Sequence, residues 1–308
     1  MSSSSFRKFR FGVQLWEEDR GELRRKARFA EEAGFDVLLV GDHVDVGWAP
    51  LLVLADLAAL TDRIRLGTLV LNNDLRHPLL VAQEVTTLDH ISGGRFELGL
   101  GAGHNPHEYE AMGRRIDSPT TRKARLSESV EILRALLAGQ QVDFVGEHYE
   151  ARQARVRRAA QDHLPILVAA NGTRVLSHAA RHADAIGLSG LGRTLPDGHS
   201  HYVRWAASRL DEQVAVIRDA AGDRWNHLEL NVLVQRVEVT QHRRKAAEDL
   251  AARIPGLTVD DALETPFLAI GTHAEIADQF RDARARWGIS YLAARDASAL
   301  APVIEMIR

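Results

Sequence analysis

The fold of this chain is decided by one short stretch, Gly93-Gly94-Arg95-Phe96-Glu97-Leu98-Gly99-Leu100-Gly101-Ala102-Gly103-His104. The apolar run from Phe96 to Leu100 predicts a buried strand that is entered through a Gly-Gly turn. The glycines that leave this strand carry no side chains, so they would let a ligand approach the backbone closely. The stretch therefore predicts the floor of a cofactor site.

Three other segments show a related pattern, in which an apolar run ends in polar or small residues. They run from Leu38 to His43, from Leu66 to Val70 and from Leu167 to Thr173. Together with the first stretch they predict four strand ends that converge on one site.

The composition bounds the class of protein. With 308 residues, of which 45% are hydrophobic and 26% charged, the chain can bury one large α/β barrel or two ordinary domains. A net charge of -3 argues against a nucleic-acid partner, which needs a basic face to neutralise phosphates. The absence of cysteine excludes disulfides, thiolate metal sites and a cysteine nucleophile. It also fits a reducing compartment, so we expect a cytoplasmic protein.

The chain ends and the hydropathy indicate no membrane association. Residues 1–9 are Ser-rich and basic without an apolar segment behind them, which predicts a mobile leader before a single domain over residues 10–308. No later run approaches the roughly 20 apolar residues that a membrane span requires.

Strand-length apolar runs alternate with segments of helical periodicity along the whole chain. The runs begin near Phe11, Val37, Ile64, Phe96, Ile166, Ala185, Leu228 and Ile289. This alternation predicts a single TIM (β/α)8 barrel with insertion segments, whose site lies at the carboxyl ends of the strands. A doubly wound open sheet is the alternative, but it would need a glycine-rich fingerprint after the first strand, and residues 14–18 do not form one.

Several local elements are predicted from their end signals. A helix capped by Asp19 ends at Gly34, another begins at Ser118-Pro119 and ends at Gly139, and a third carries a Thr272/Glu275 capping box and ends at Gly288. Residues 142–149 predict a small hairpin outside the repeat. Residues 191–201, rich in Gly, Pro, Asp and His, predict a long mobile loop of the kind that closes over active sites.

These features together resemble the bacterial luciferase-like flavin and deazaflavin oxidoreductases. The segments that carry the resemblance are Gly34-Phe35-Asp36, Asp42-His43, residues 65–70 with Arg76-His77-Pro78, residues 92–101, Glu108-Tyr109 with Gly113, and Gly271-Thr272. The resemblance implies a TIM barrel with insertions, FMN or the deazaflavin coenzyme F420 at its mouth, and a homodimer. The apolar helix around residues 51–54 could supply the dimer seam or could equally be core. Asp42-His43 after the second strand resembles the branch that uses F420.

The resemblance also implies which residues hold the cofactor. A bulge with a non-prolyl cis peptide at Leu69-Val70 would support one face of the ring. Around it, the implied cofactor-binding residues are Asp42, Asn72, Ala102, Gly103, Asn171, Gly172, Thr173, Ser189 and Gly190. Of these, Gly172-Thr173 would receive the phosphate at a helix N-terminus, and Ser189-Gly190 would complete that site. A glycine in such a turn is also ordinary turn chemistry.

Hydride transfer from a reduced deazaflavin leaves the substrate in need of a proton, so the site needs a titratable acid. His43 is the candidate, because an imidazole changes charge near neutral pH. In the sugar-phosphate dehydrogenases of this branch, a histidine at this position works with a glutamate, whose place His104 takes here. This departure leaves the substrate open and makes His104 a second candidate. Glu18 matches another pocket carboxylate, while Glu108 and Tyr109 are expected to anchor a loop.

Three other functions remain open from the sequence. An FMN-dependent two-component monooxygenase would use the same pocket, a metal-dependent TIM-barrel hydrolase would use Asp42, His43 and His104, and a non-catalytic homologue would bind cofactor only. The pairs His104/His107 and His178/His182 have metal-ligand spacing but no evident third ligand. We therefore expect no metal and interpret the second pair as solvated surface.

Overall fold

The computed structural model describes residues 7–17, 19–44, 46–195 and 201–308. Within these ranges the strands are β1 (Arg10–Leu15), β2 (Val37–Val40), β3 (Arg65–Thr68), β4 (Leu71–Asn72), β5 (Phe96–Gly101), β6 (Val142–Val145), β7 (Glu150–Ala154), β8 (Ile166–Ala169), β9 (Ala185–Leu188), β10 (Leu191–Thr194), β11 (His201–Val203), β12 (Glu229–Val234), β13 (Arg236–Val239), β14 (Leu268–Gly271) and β15 (Ile289–Ala294). The α-helices are α1 (Arg20–Glu32), α2 (Pro50–Ala58), α3 (Pro78–Ile91), α4 (Pro106–Ala111), α5 (Pro119–Leu137), α6 (Thr173–His182), α7 (Ala207–Ala221), α8 (Arg243–Ala251), α9 (Val259–Glu264), α10 (His273–Trp287) and α11 (Ala297–Ile307).

Eight parallel strands close into a barrel in the order β1-β2-β3-β5-β8-β9-β12-β15, with β15 pairing back onto β1. Each barrel strand begins within one residue of a predicted start, so the (β/α)8 prediction is confirmed and the open sheet is excluded. The strands read as nearly continuous apolar runs because the helices cover their outer face and layered side chains fill the interior.

The predicted helix ends are confirmed by hydrogen bonds. Asp19 accepts from the backbone N–H of Glu22 at the start of α1, and Ser118 accepts from that of Thr121 at the start of α5. The capping box of α10 is present in both directions, between Thr272 and Glu275. These caps satisfy backbone donors that have no partner inside the helix, which is why the sequence signal is reliable.

Two predicted insertions have different outcomes. Strands β6 and β7 form the expected antiparallel hairpin. The irregular structure expected at residues 191–201 is not found in their described part, because β10 and β11 pair as antiparallel strands, with Leu191 opposite Val203 and Thr194 opposite His201; the mobility stays a prediction. Backbone hydrogen bonds between the two strands form despite the turn-rich composition of the sequence. Residues 196–200 of the prediction lie outside the described residues.

The barrel is closed at its amino-terminal end by a buried ion network. Arg10 donates to Glu97 Oε2 at 2.7 Å and to Glu229 Oε2 at 2.6 Å, and the Tyr291 hydroxyl donates to Glu97 Oε1 at 2.8 Å. Burial by itself would raise the pKa of Glu97, but the guanidinium groups of Arg10 and Arg65 outweigh it and lower that pKa. A cavity of about 370 Å³ lies beside this network, at the end of the barrel opposite the predicted site. We therefore assign the ion network to the stability of the barrel and not to the site.

Some predictions concern the chain ends and surface. Residues 1–6 of the expected leader lie outside the described residues, and Phe9 is buried beside Phe11 with ring centroids 6.0 Å apart. On α2, Val53 and Leu54 are buried whereas Leu52 is 75% exposed, so only part of the expected dimer seam faces outward. The homodimer and the cytoplasmic location stay predictions.

In the part of the chain that the structure describes, none of the helices combines the length and apolarity needed to cross a bilayer.

Candidate active site

The predicted site residues follow the carboxyl ends of five consecutive barrel strands. They lie after β2 (Asp42, His43), after β3 (Leu69, Val70, Asn72), after β5 (Ala102, Gly103, His104), after β8 (Asn171, Gly172, Thr173) and after β9 (Ser189, Gly190). Because these strands are parallel and in lateral register, their carboxyl ends share one mouth of the barrel. Glu18 lies outside the described residues.

His43 is paired with a buried carboxylate. Its Nδ1 lies 2.8 Å from Glu108 Oε1, and the Glu108 side chain is 1% exposed whereas that of His43 is 19% exposed. An ionised carboxylate only accepts hydrogen bonds, so this contact favours the tautomer with the proton on Nδ1 and fixes the ring orientation. Glu108 therefore anchors the α4 segment, as expected, and also orients the predicted acid.

A group of aromatic rings surrounds His43. Its ring centroid lies 5.4 Å from that of Trp16 and 5.3 Å from that of His104, with edge-to-face geometry in both pairs. His104 in turn stacks on His201 of β11, with ring centroids 4.8 Å apart. The hairpin β10–β11 thus brings a third histidine to the mouth, next to both predicted catalytic candidates.

Asp42 has a structural contact set. Arg76 donates to both of its carboxylate oxygens, and the backbone N–H of Asn72 donates to Oδ2 at 2.8 Å. The carboxylate thereby ties the end of β2 to the segment after β3. These contacts balance the charge of Asp42 and let it support the site, and its predicted contact with the cofactor stays a prediction.

The predicted cis peptide lies at Leu69-Val70. The carbonyl of Leu69 accepts from Gln14 Nε2 at 2.6 Å, and Gln14 Oε1 accepts from Arg295 Nε at 3.0 Å. This chain of hydrogen bonds crosses from the end of β15 to the bulge, so the side chains of Gln14 and Arg295 fix its position.

The glycines of the opening stretch also have a packing role, while their predicted role at a cofactor floor stays a prediction. A Cβ on Gly99 would lie 1.9 Å from the carbonyl oxygen of Thr68, and a Cβ on Gly101 would lie 2.6 Å from Val70 Cγ2. At Gly103, whose φ is +74°, a Cβ would meet Asn72 and Tyr109 side-chain atoms at 2.5 Å. The missing side chains make room for the bulge after β3, so these contacts explain the glycines without a ligand.

Asn72 and Tyr109 are buried under Gly103, on the inner side of the mouth. The Asn72 side chain accepts from the backbone N–H of Asp74 at 3.1 Å and so caps a short 3₁₀ turn. Burial raises the pKa of the Tyr109 phenol, and the carboxylate of Asp74 raises it further. Tyr109 therefore stays protonated near neutral pH and packs as a neutral group.

An anion cradle, which we define as Gly172, Thr173 and Lys123, forms at the amino end of α6. Gly172 is the N-cap of α6 with φ of +96° and no capping side chain, so the first N–H groups of the helix receive no side-chain acceptor there. Lys123 reaches over from α5, where Nζ donates to the Asn171 carbonyl at 2.9 Å and lies 3.7 Å from the place of a Gly172 Cβ. Burial lowers the pKa of Lys123, and the charge of Arg122 adds to the decrease. A helix N-terminus beside a partly desolvated ammonium group favours a phosphate.

The remaining predicted residues hold adjacent strand ends together. Asn171 Nδ2 donates to Ser189 Oγ at 2.7 Å and to the Leu191 carbonyl at 3.0 Å. Gly190 has φ of +58°, and a Cβ there would lie 2.5 Å from Trp205 and 2.7 Å from Phe267. These residues shape the rim next to the anion cradle. Ala102 is half-buried and packs against the core.

Sequence patterns alone do not indicate two cations of the mouth. Lys123 lies near the amino end of α5 and has no local signal, and only the packing of α5 against α6 places it at Gly172. Arg295 directly follows β15, and no carboxylate within the described ranges forms an ion pair with it. His43 is predicted because it follows the carboxyl end of a barrel strand. The same argument also indicates Arg295.

The metal-hydrolase alternative finds no support at the mouth. Within the described ranges, Asp42, His43 and His104 do not form a group with metal-ligand spacing, and neither do His104, His107 and Glu108. The two oxygens of Asp42 are engaged by Arg76 instead.

Known proteins resemble this chain in sequence over about half of its length. It is 37% identical over 166 residues to 4-hydroxyprotoasukamycin monooxygenase of Streptomyces nodosus subsp. asukaensis, a match that covers 51% of this chain and 42% of that protein. It is also 37% identical over 185 residues to an F420-dependent glucose-6-phosphate dehydrogenase of Nakamurella multipartita, covering 57% of this chain and 54% of that protein. The chain thus spans about half the length of the curated relatives it matches.

Solved structures share the fold over nearly the whole chain. The coenzyme F420-dependent tetrahydromethanopterin reductase of Methanopyrus kandleri superposes with a TM-score of 0.76 at 19% identity, covering 98% of this chain and 100% of that chain. An F420-dependent secondary alcohol dehydrogenase superposes with a TM-score of 0.77 at 20% identity and the same coverage. Residues 1–254 match the family model described as luciferase-like monooxygenase, and the chain therefore belongs to this family of oxidoreductases.

Proposed function

We propose that this protein binds coenzyme F420 at the mouth of the barrel and transfers a hydride between the reduced cofactor and a small organic substrate. One observation carries the proposal: the His43–Glu108 pair and the anion cradle lie at the same mouth, as proton transfer and phosphate binding by one cofactor site require. When bound, the deazaflavin would supply the hydride.

His43 would act as the proton donor. Because Glu108 occupies Nδ1, a proton given to the substrate would leave from Nε2. The contact with the buried Glu108 carboxylate keeps the imidazole ring oriented. We assign Glu108 a positioning role, since its contact is with His43.

The anion cradle would hold the phosphate of the cofactor. The backbone N–H groups after Gly172 supply donors, and Lys123 supplies a charge that burial keeps poorly hydrated. Arg295 gives the mouth a second cation for an acidic group of cofactor or substrate.

The preference for F420 over FMN rests on the relatives. Several curated relatives at 35–38% identity are named F420-dependent glucose-6-phosphate dehydrogenases. His104, however, stands where the resemblance predicts a glutamate, so we propose a small carbonyl compound or imine as substrate instead of a sugar phosphate. The similarity to 4-hydroxyprotoasukamycin monooxygenase favours an FMN-dependent monooxygenase as the second candidate.

The two candidates differ in their use of oxygen, because a deazaflavin has carbon in place of the flavin N5 and reacts poorly with oxygen. The purified protein should be mixed with reduced F420 or reduced FMN, a panel of carbonyl compounds and imines, and oxygen, with enzyme-free samples as controls. We expect oxidation of reduced F420 that depends on the organic acceptor and consumes no oxygen. Oxygen consumption that requires protein, reduced FMN and substrate would instead establish the monooxygenase.

A further inference from the structure

A second cluster of metal-ligating side chains lies on the outside of the barrel, between α5 and α6. It consists of Glu131 from α5 and of His178 and His182 from α6, and one ligand atom from each lies within 4.8 Å of the other two. His178 Nε2 lies 2.9 Å from Glu131 Oε1, and the two histidine rings stack with centroids 4.4 Å apart and planes 23° apart.

The helices pre-arrange these donors. His178 and His182 are four residues apart, so both project from the same face of α6. Arg134, also on α5, donates from Nη2 to the carbonyl of His182 at 3.1 Å and so fixes the end of α6 against α5. Arg224 lies close to the cluster, but its guanidinium donates to the carbonyls of Ala180 and Ala183. The site is thus built from rigid elements.

We propose that Glu131, His178 and His182 bind one divalent transition-metal ion, with Zn²⁺ as the best match. Nitrogen and oxygen ligands lie about 2.0–2.2 Å from zinc, which puts neighbouring ligand atoms of a tetrahedron about 3.3 Å apart. The donor atoms of Glu131, His178 and His182 lie within 4.8 Å of one another, so side-chain rotations would have to bring them to this spacing. Imidazole donors favour zinc, copper and nickel over magnesium and calcium, which prefer oxygen ligands.

The position of the site indicates a structural role. A bound ion would connect α5 to α6, and these two helices supply Lys123 and the amino end that form the anion cradle. The spacing of His178 and His182 is visible in the sequence, but the third donor lies 47 residues away. Only the packing of α5 on α6 brings Glu131 to the pair, so the expectation of a solvated surface without metal is replaced by this proposal.

Zinc binding by the full chain tests the proposal. Protein treated with a chelator and desalted should be titrated with Zn²⁺ and, separately, with Mg²⁺, and the retained metal and the unfolding temperature should be measured. We expect one Zn²⁺ per chain, a higher unfolding temperature with Zn²⁺ and no effect of Mg²⁺. His182→Gln and the conservative Glu131→Gln should each weaken zinc binding at least about tenfold.

His163→Gln is the matched control, because His163 Nε2 contacts the carboxylate of Asp184 at 2.8 Å but, within the described residues, belongs to no three-donor group. It should leave zinc binding unchanged. His104→Gln tests whether the histidines at the barrel mouth bind the zinc instead, and it should also leave zinc binding unchanged. The proposal is overturned if no zinc is retained, if His182→Gln and Glu131→Gln retain the wild-type affinity, or if only His104→Gln loses the metal.

Discussion

Replacing His43 with alanine is expected to lower kcat by about 10²–10⁴-fold, the usual contribution of a positioned general acid. The imidazole contacts Glu108 at 2.8 Å and is the titratable group that the carboxylate orients at the mouth. Because the anion cradle lies after other strands, the cofactor should bind His43→Ala as it binds the wild type. The measurement is steady-state turnover with the best acceptor of the panel, together with a cofactor titration of both proteins.

Two variants sharpen this test. Glu108→Gln keeps a polar group beside Nδ1 that can still orient the imidazole ring, so it should lower kcat less than His43→Ala does. His107→Ala is the control, since His107 is exposed on α4 near the same loop. Wild-type turnover by His43→Ala, or an equal loss in His107→Ala, would show that His43 is not the acid.

Gly99→Ala is expected to reduce the free energy of unfolding by about 4 kcal/mol or more. The added Cβ would lie 1.9 Å from the Thr68 carbonyl oxygen, which is backbone and cannot move aside as a side chain could. The same shift would break two hydrogen bonds, from Thr68 Oγ1 to the Gly99 carbonyl at 2.7 Å and from the Gly99 N–H to Thr68 Oγ1 at 2.9 Å. Denaturant unfolding measures the loss.

Gly93→Ala separates this steric effect from general glycine replacement in the same stretch. Gly93 has φ of +67°, but no heavy atom lies within 4 Å of its would-be Cβ. Gly93→Ala should therefore reduce the free energy of unfolding by only about 1 kcal/mol, which is the strain of a left-handed backbone at a residue with a Cβ. If both variants lose similar stability, the close approach of β3 and β5 is not what requires Gly99.

The sequence predicts the barrel well because its signals are local. Alternating apolar runs set the strand starts, and caps such as Asp19 and Thr272 satisfy helix N–H groups within three residues. The strand-end rule also places His43, Asn72 and Thr173 at one mouth, since parallel strands present their carboxyl ends together. The roles of these residues stay predictions until cofactor binding is measured.

The contacts that decide the chemistry join distant segments and leave no local signal. Glu108 reaches His43 across 65 residues, and Lys123 reaches Asn171 across 48. The glycines of the opening stretch have a packing reason that the sequence does not reveal, since the bulge after β3 fills the space at Gly99 and Gly101. The loop predicted at residues 191–201 shows the opposite difference, because its composition indicates irregular structure whereas residues 191–194 and 201 belong to the paired strands β10 and β11.

The most direct test of the account is a parallel binding titration of F420 and FMN against the wild type and Lys123→Met, with Lys245→Met as control. Lys245 is an exposed lysine that pairs with Asp249 on α8, away from the anion cradle. We predict one saturable F420 site per chain, tighter than that for FMN, and a loss of about 10–100-fold in affinity in Lys123→Met alone, as expected for a charge-assisted contact to phosphate. Absence of saturable binding for both cofactors, or equal affinity in wild type and Lys123→Met, would contradict a cofactor site at this mouth.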